Sequence, residues 1–204
     1  MLYLDIASLK FPPSPRVIEV LKQNLDRINE YPDQNYLKLR KKLAQIYKVD
    51  NQNILIGNGL DEVIDLITRA FVKEGEEVII PIPTFSQFEQ AAVRINAKIV
   101  AVYCMRECYE IDTEEILNHM TKQTRLIWIC SPNNPTGDFI PKETIRKISS
   151  HVDIPVVIDN ALGDFSDQQI GDLTDIHNAI ILRSFSKGYC LGGLRIGYAI
   201  ANSE

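Results

Sequence analysis

Short apolar runs alternate along this chain with longer segments whose apolar residues recur every three to four positions. Runs of four to eight apolar residues bounded by turn residues fit strands buried on both faces, and the longer period fits helices laid against them. The pattern predicts strands at Asn53–Ile56, Glu77–Ile80, Lys98–Tyr103, Arg125–Cys130, Pro155–Asp159, Ala179–Leu182 and Arg195–Ala201. It predicts helices at Pro15–Arg27, Tyr36–Tyr47, Leu60–Val72, Ser86–Ile95, Thr113–His119 and Lys142–Ser150. Leu39, Leu43, Ile46 and Tyr47 keep helical spacing, as do Val63, Ile64, Ile67, Ala70 and Phe71. Asp112-Thr113-Glu114-Glu115 and Pro141-Lys142-Glu143 read as helix starts, with acids placed against the positive end of the dipole. Strand and helix in alternation mean an α/β fold: one domain over residues 1–204, built on a mostly parallel sheet with helices on both faces. In such a sheet the functional residues gather just past the C-terminal ends of the strands.

Composition narrows the class. A net charge of −5 argues against a nucleic-acid binder, and no apolar stretch approaches the ~20 residues that span a bilayer. Met1-Leu2-Tyr3-Leu4-Asp5 lacks the basic and apolar regions of a signal peptide, so a cytoplasmic protein is expected. Cys104, Cys108, Cys130 and Cys190 are too few for a disulfide framework and read as free thiols. His119, His151 and His177 sit among polar residues and read as surface histidines, and no metal site is expected.

Five motifs fall at predicted strand ends. Lys187, in Ser184-Phe185-Ser186-Lys187, follows the run Ala179–Leu182. A lysine leaving a buried strand is desolvated and becomes a nucleophilic amine, the group Schiff-base chemistry requires, although a solvated loop lysine fits the local sequence equally well. Gly57-Asn58-Gly59-Leu60-Asp61-Glu62 opens a helix and is either a tight turn or a seat for phosphate on free backbone N–H groups. Phe85, after Pro83-Thr84, is either a core residue or an aromatic face for a planar ring. Ser131-Pro132-Asn133-Asn134-Pro135-Thr136-Gly137 is a rigid turn that would hold the Asn134 amide ready for a hydrogen bond. Asp159 ends a buried strand, where a carboxylate needs a partner such as a protonated pyridine nitrogen or else caps a turn.

In this order, Gly-Asn-Gly-x-Asp-Glu, Ser-Pro-Asn-Asn-Pro-Thr-Gly, Ser-Phe-Ser-Lys and Gly-Leu-Arg-x-Gly-Tyr resemble the pyridoxal-phosphate aminotransferases of the aspartate-aminotransferase fold. The likeness is greatest to the histidinol-phosphate aminotransferase group and its relative threonine-phosphate decarboxylase, and it runs from about Pro12 to Asn202. The resemblance implies pyridoxal 5'-phosphate held through Lys187, which also carries the proton, with Asp159 on the ring nitrogen, Asn134 on the ring oxygen and Phe85 on the ring face. It places the phosphate on the backbone of Gly59, Leu60 and Asp61 and on Ser184, Ser186 and Arg195, with Tyr31 reaching the neighbour's phosphate in a homodimer. The implied activity moves an amino group between an amino acid or amino phosphate and a 2-oxo acid. Decarboxylation of an amino-acid phosphate, or a cofactor-binding module without turnover, are the alternatives. Three departures stand out: Leu162 replaces a tyrosine of the family's Asp-Glu-Ala-Tyr, Ser8-Leu9-Lys10-Phe11-Pro12-Pro13 replaces its Asn-Glu-Asn-Pro-Phe-Gly, and Leu60 replaces a small residue. The chain is expected to hold the cofactor-binding large domain, with the C-terminal small domain absent.

Overall fold

A computed structural model describes residues 9–104, 110–166 and 170–202. The expectations for Met1–Asp5, Ser8 and Cys108 lie outside these residues. In chain order the elements are α1 (Pro15–Gln23), α2 (Leu37–Tyr47), β1 (Ile54–Asn58), α3 (Leu60–Phe71), β2 (Glu77–Ile82), α4 (Gln87–Arg94), β3 (Lys98–Tyr103), α5 (Thr113–Asn118), β4 (Thr124–Cys130), α6 (Lys142–Ser150), β5 (Val156–Asp159), β6 (Ala179–Ser184) and β7 (Ile196–Ala201). The seven strands form one sheet in the order β1-β7-β6-β5-β4-β2-β3. β7 runs antiparallel to both its neighbours, and the other pairs are parallel.

Successive strand residues point to opposite faces, and the chain uses both. One face carries Ile79, Ile127, Ile129, Ile158, Ile181 and Ile200 against Leu43 of α2, Ile116 of α5, and Ile145 and Ile148 of α6. The other carries Val78, Ile80, Leu126, Trp128, Val157, Ile180 and Leu182 against Val63, Ile64 and Ile67 of α3 and Phe88, Ala91 and Ala92 of α4. Phe88 and Trp128 stack with ring centroids 4.6 Å apart. Continuous apolar strands are thus what a doubly covered sheet requires.

The local signals also hold. Asp112 caps α5 by accepting the Glu114 N–H at 2.9 Å, as its place before the acidic turn predicts. The expected Pro15–Arg27 helix breaks at Asn24, whose side chain donates to the Val20 carbonyl at 2.8 Å, and continues as a short 3-10 turn over Leu25–Arg27. Three apolar positions counted by spacing do not reach the core: Ile46, Ala70 and Phe71 are exposed. Ala70 and Phe71 line an open groove over Leu55, Ile180 and Ala199 of the sheet. His119, His151 and His177 are on the surface, and Cys104, Cys130 and Cys190 are free thiols. No helix among the described residues is long and apolar enough to cross a membrane.

Candidate active site

A cavity of about 220 Å³ opens at the C-terminal ends of the parallel strands, lined in part by Phe85, Asn134, Asp159, Ser184, Lys187 and Arg195. Leu60, Asp61 and Ser186 complete the residues read from the sequence that reach it. Gly59 sits at its edge and Tyr31 does not reach it: the Tyr31 side chain is 96% exposed, away from the cavity wall.

Asp159 is the last residue of β5 and is buried, because the sheet carries it inward before the chain turns. Its carboxylate accepts the Ala161 N–H at 2.9 Å. Burial pushes this carboxyl up to about 6, against that hydrogen bond and the charge of Lys187, which favour the anion. Lys187 follows β6 and is half-buried. Burial lowers its ammonium below the ordinary lysine value, with Arg195 adding to the fall and Asp159 and Asp61 opposing it. An acid held near neutrality and an amine moved toward it, in one cavity, are suited to proton traffic.

The turn after β4 shows a division of labour that the sequence does not reveal. Asn133, not Asn134, fixes the turn: its Nδ2 donates to the Pro83 carbonyl and to Thr136 Oγ1, both at 3.0 Å, and its Oδ1 accepts from Thr84 Oγ1 at 2.8 Å. Asn134, half-buried, is thereby presented to the cavity. Phe85 stands edge-on to the buried Phe88, centroids 5.7 Å apart, so the Phe88–Trp128 stack sets its plane.

The third corner is the start of α3. Gly59 has φ +81°, and an added Cβ would meet the Arg195 guanidinium at 2.5 Å, so only glycine lets that side chain lie on the turn. Gly197, opposite Gly57 on β7, has no side chain for the same reason: a Cβ there would sit 2.7 Å from the backbone of Gly59 and Leu60. Arg195 donates to the Gly192 carbonyl and pairs with Asp61, each at 3.2 Å. Ser184 Oγ accepts the Ser186 N–H at 3.0 Å, which leaves its hydroxyl hydrogen for an incoming acceptor. Backbone N–H groups at a helix start, a guanidinium and a hydroxyl are together suited to receive an anion.

Sequence reasoning missed Cys130, Pro132 and Ala161, which also line the cavity, and a polar network that runs from the buried Asn160 to the surface. In it Asn160 donates to the Ser131 carbonyl at 2.6 Å and accepts from Arg183, which pairs with Asp164. Gly163 leaves room for this network, since a Cβ would collide with Asn160 and Arg183. The signal available was an arginine inside an otherwise apolar strand, Ala179–Ser184, together with an asparagine just past the end of a buried one.

The sequence profile of aminotransferase class I and II matches residues 1–204. Histidinol-phosphate aminotransferase of Methanocaldococcus jannaschii is 40% identical over 198 residues, 94% of this chain and 53% of that protein. Among solved structures, histidinol-phosphate aminotransferase of Sinorhizobium meliloti in complex with pyridoxal-5'-phosphate superposes with a TM-score of 0.88 at 26% identity, over 96% of this chain and 55% of that one. L-threonine-O-3-phosphate decarboxylase of Porphyromonas gingivalis superposes with a TM-score of 0.79 at 29% identity, over 95% of this chain and 61% of that one. The chain spans about half the length of the curated relatives it matches.

Proposed function

The chain belongs to the class I and II aminotransferase family, and on that premise we propose that it binds pyridoxal 5'-phosphate and forms the cofactor-binding part of an enzyme that moves an amino group to a 2-oxo acid. The observation that carries this reading is the pairing of a buried carboxyl raised to about 6 with a lysine of lowered pKa across one cavity, beside an anion seat. These residues fit the cofactor's three functional ends. A fully buried carboxylate with a backbone amide for its partner has capacity for a cationic ring N–H, which would hold it ionised. Lys187 would hold the aldehyde carbon, and the α3 start with Ser184, Ser186 and Arg195 would hold the phosphate. Phe85 would cover the ring and Asn134 would donate to its oxygen.

When bound, the cofactor supplies an electron-withdrawing ring that stabilises negative charge at the substrate Cα. This chain's residues do the rest. Asp159 keeps the ring nitrogen protonated, so that the ring withdraws electrons fully. Lys187, whose ammonium burial disfavours, would carry the proton between the substrate Cα and the cofactor's aldehyde carbon. Leu60, Leu162 and Phe85 give the cavity an apolar wall. Leu162 has no hydroxyl, so the ring oxygen would depend on Asn134 alone for its side-chain donor.

Similarity to proteins named histidinol-phosphate aminotransferase supports an amino phosphate of that kind as the amino donor. The likeness to a threonine-phosphate decarboxylase supports a second reading in which a carboxylate is lost instead. The test is direct: purified protein is mixed with pyridoxal phosphate and histidinol phosphate, and the fate of donor and cofactor is followed. Amino transfer converts the cofactor to its amine and the donor to the carbonyl compound. Release of carbon dioxide from threonine phosphate would favour the second reading, and no cofactor uptake would reject both.

We also propose a homodimer. α1 buries none of its residues, and Phe11, Val20, Leu25, Ile28 and Tyr31 around it are all exposed, more apolar surface than a monomer usually leaves bare. A second copy covering this face would bring Tyr31 to the neighbour's anion seat. Light scattering should give twice the chain mass, and a monomer at high concentration would reject the assignment.

A further inference from the structure

The ion pair between Asp61 and Arg195 sits where the phosphate reading needs an empty seat. Asp61 is the second residue of α3, so its carboxylate already lies at the positive end of that helix. It takes one N–H of Arg195 at 3.2 Å, with the two side chains 57% and 45% exposed. Such a long, single-contact, half-solvated pair contributes little to folding. A phosphate can engage several N–H groups at once and carries more charge, so it wins the guanidinium.

Arg195 does not need Asp61 to stay in place. Its guanidinium donates to the Gly192 carbonyl at 3.2 Å, its backbone is held at φ +52° by the 3-10 turn over Gly192–Leu194, and its head rests in the space that Gly59 leaves. Removing the carboxylate therefore leaves the seat built. What the carboxylate adds is negative charge beside a position for a phosphate. Its charge also reaches Lys187 and Asp159, raising both.

We propose that Asp61 is the resident counter-ion of the seat: the incoming phosphate displaces its carboxylate from Arg195, and its charge then weakens retention, making the phosphorylated ligand exchangeable. The inference rests on the reading that the cavity takes pyridoxal phosphate. It makes Asp61 a residue that sets affinity for the phosphate end of the ligand, apart from the groups that hold the ring.

The experiment compares the wild-type chain with Asp61→Asn and Asp61→Ser by equilibrium dialysis against pyridoxal phosphate and against pyridoxal, which lacks the phosphate. Both variants should bind pyridoxal phosphate roughly tenfold more tightly, the effect of removing one like charge beside a partly solvated anion. They should release it more slowly, and any gain for pyridoxal, through the lost pull of Asp61 on Lys187, should be smaller than the gain for pyridoxal phosphate. The gain should shrink in concentrated salt, since partly exposed charges are screened. Equal or weaker binding of pyridoxal phosphate by the variants would overturn the proposal, as would an equal gain for pyridoxal, which would place the effect at Lys187. If none of the three proteins takes up pyridoxal phosphate, the cofactor reading fails and takes this inference with it. Binding by the wild type without a gain in the variants rejects the inference alone.

Discussion

Alanine in place of Lys187 should leave a folded protein that still takes up pyridoxal phosphate but cannot hold it through a bond that borohydride fixes. The same substitution should slow removal of the substrate Cα proton by roughly 10²–10⁴, the usual contribution of a positioned acid–base group. The fold should tolerate the change, because Lys187 lies on the loop after β6 and its amine is desolvated at a cost that alanine does not bear. Two measurements check it. Reduction followed by peptide mapping should find the adduct on Lys187 in the wild type and nowhere in the variant. Rapid-mixing spectroscopy with an amino donor should show the cofactor's conversion stalled. An adduct on another lysine, or an unchanged rate, would remove Lys187 from its assigned role.

Asparagine in place of Asp159 should do the opposite to stability and function. Folding raises this carboxyl from an ordinary value of ~3.9 to about 6. The native state thus binds the proton more tightly than the unfolded chain does, so stability falls as pH rises from about 4 to about 6 and stays lower above that. Two pH units correspond to ~3 kcal/mol. Asparagine never ionises, so the cofactor-free variant should be up to ~3 kcal/mol more stable than the wild type at pH 8, with the difference closing near pH 4. Urea unfolding of both proteins at pH 4, 6 and 8 measures this, and parallel curves would show that Asp159 is not strained. With cofactor the ranking should reverse, since the wild-type carboxylate gains the ring N–H and asparagine cannot keep that nitrogen protonated. Such a residue, costly alone and satisfied by a ligand, marks a site where stability was given up for chemistry.

The strands were legible because a sheet covered on both sides demands continuous apolar runs, and Leu126–Cys130 or Val156–Ile158 offer no other reading. The corners of the cavity were legible for a related reason: glycine, proline, lysine and aspartate are out of place next to such runs. What the sequence withheld depends on long-range contact. Nothing local separates Asn133 from Asn134, and their different tasks follow from Thr84 and Pro83 arriving from another strand end. The hydrogen bond between Tyr47 and Tyr198, 2.9 Å across 151 residues, is equally invisible until α2 and β7 meet. Asp61 reads as a helix-start acid, and its hold on Arg195 spans 134 residues. Ile46, Ala70 and Phe71 mark the opposite limit, where periodicity counts positions that stay exposed in the fold.

The pairing of β1 with β7 has a consequence for how the molecule is made. β1 lies at one edge of the sheet and its strand partner is β7, with Ile56 opposite Tyr198. A ribosome adding about 5–20 residues per second needs roughly 7–28 s to travel between those two positions. Throughout that interval β1 has been synthesised but has no edge to join, while β2 through β6 can already assemble around one another. The anion seat waits as well, since the Gly59 turn rests on Gly197 and its guanidinium comes from Arg195. Competence to hold phosphate therefore cannot precede synthesis of Arg195 and Gly197, and it arrives together with the pairing of β1 to β7.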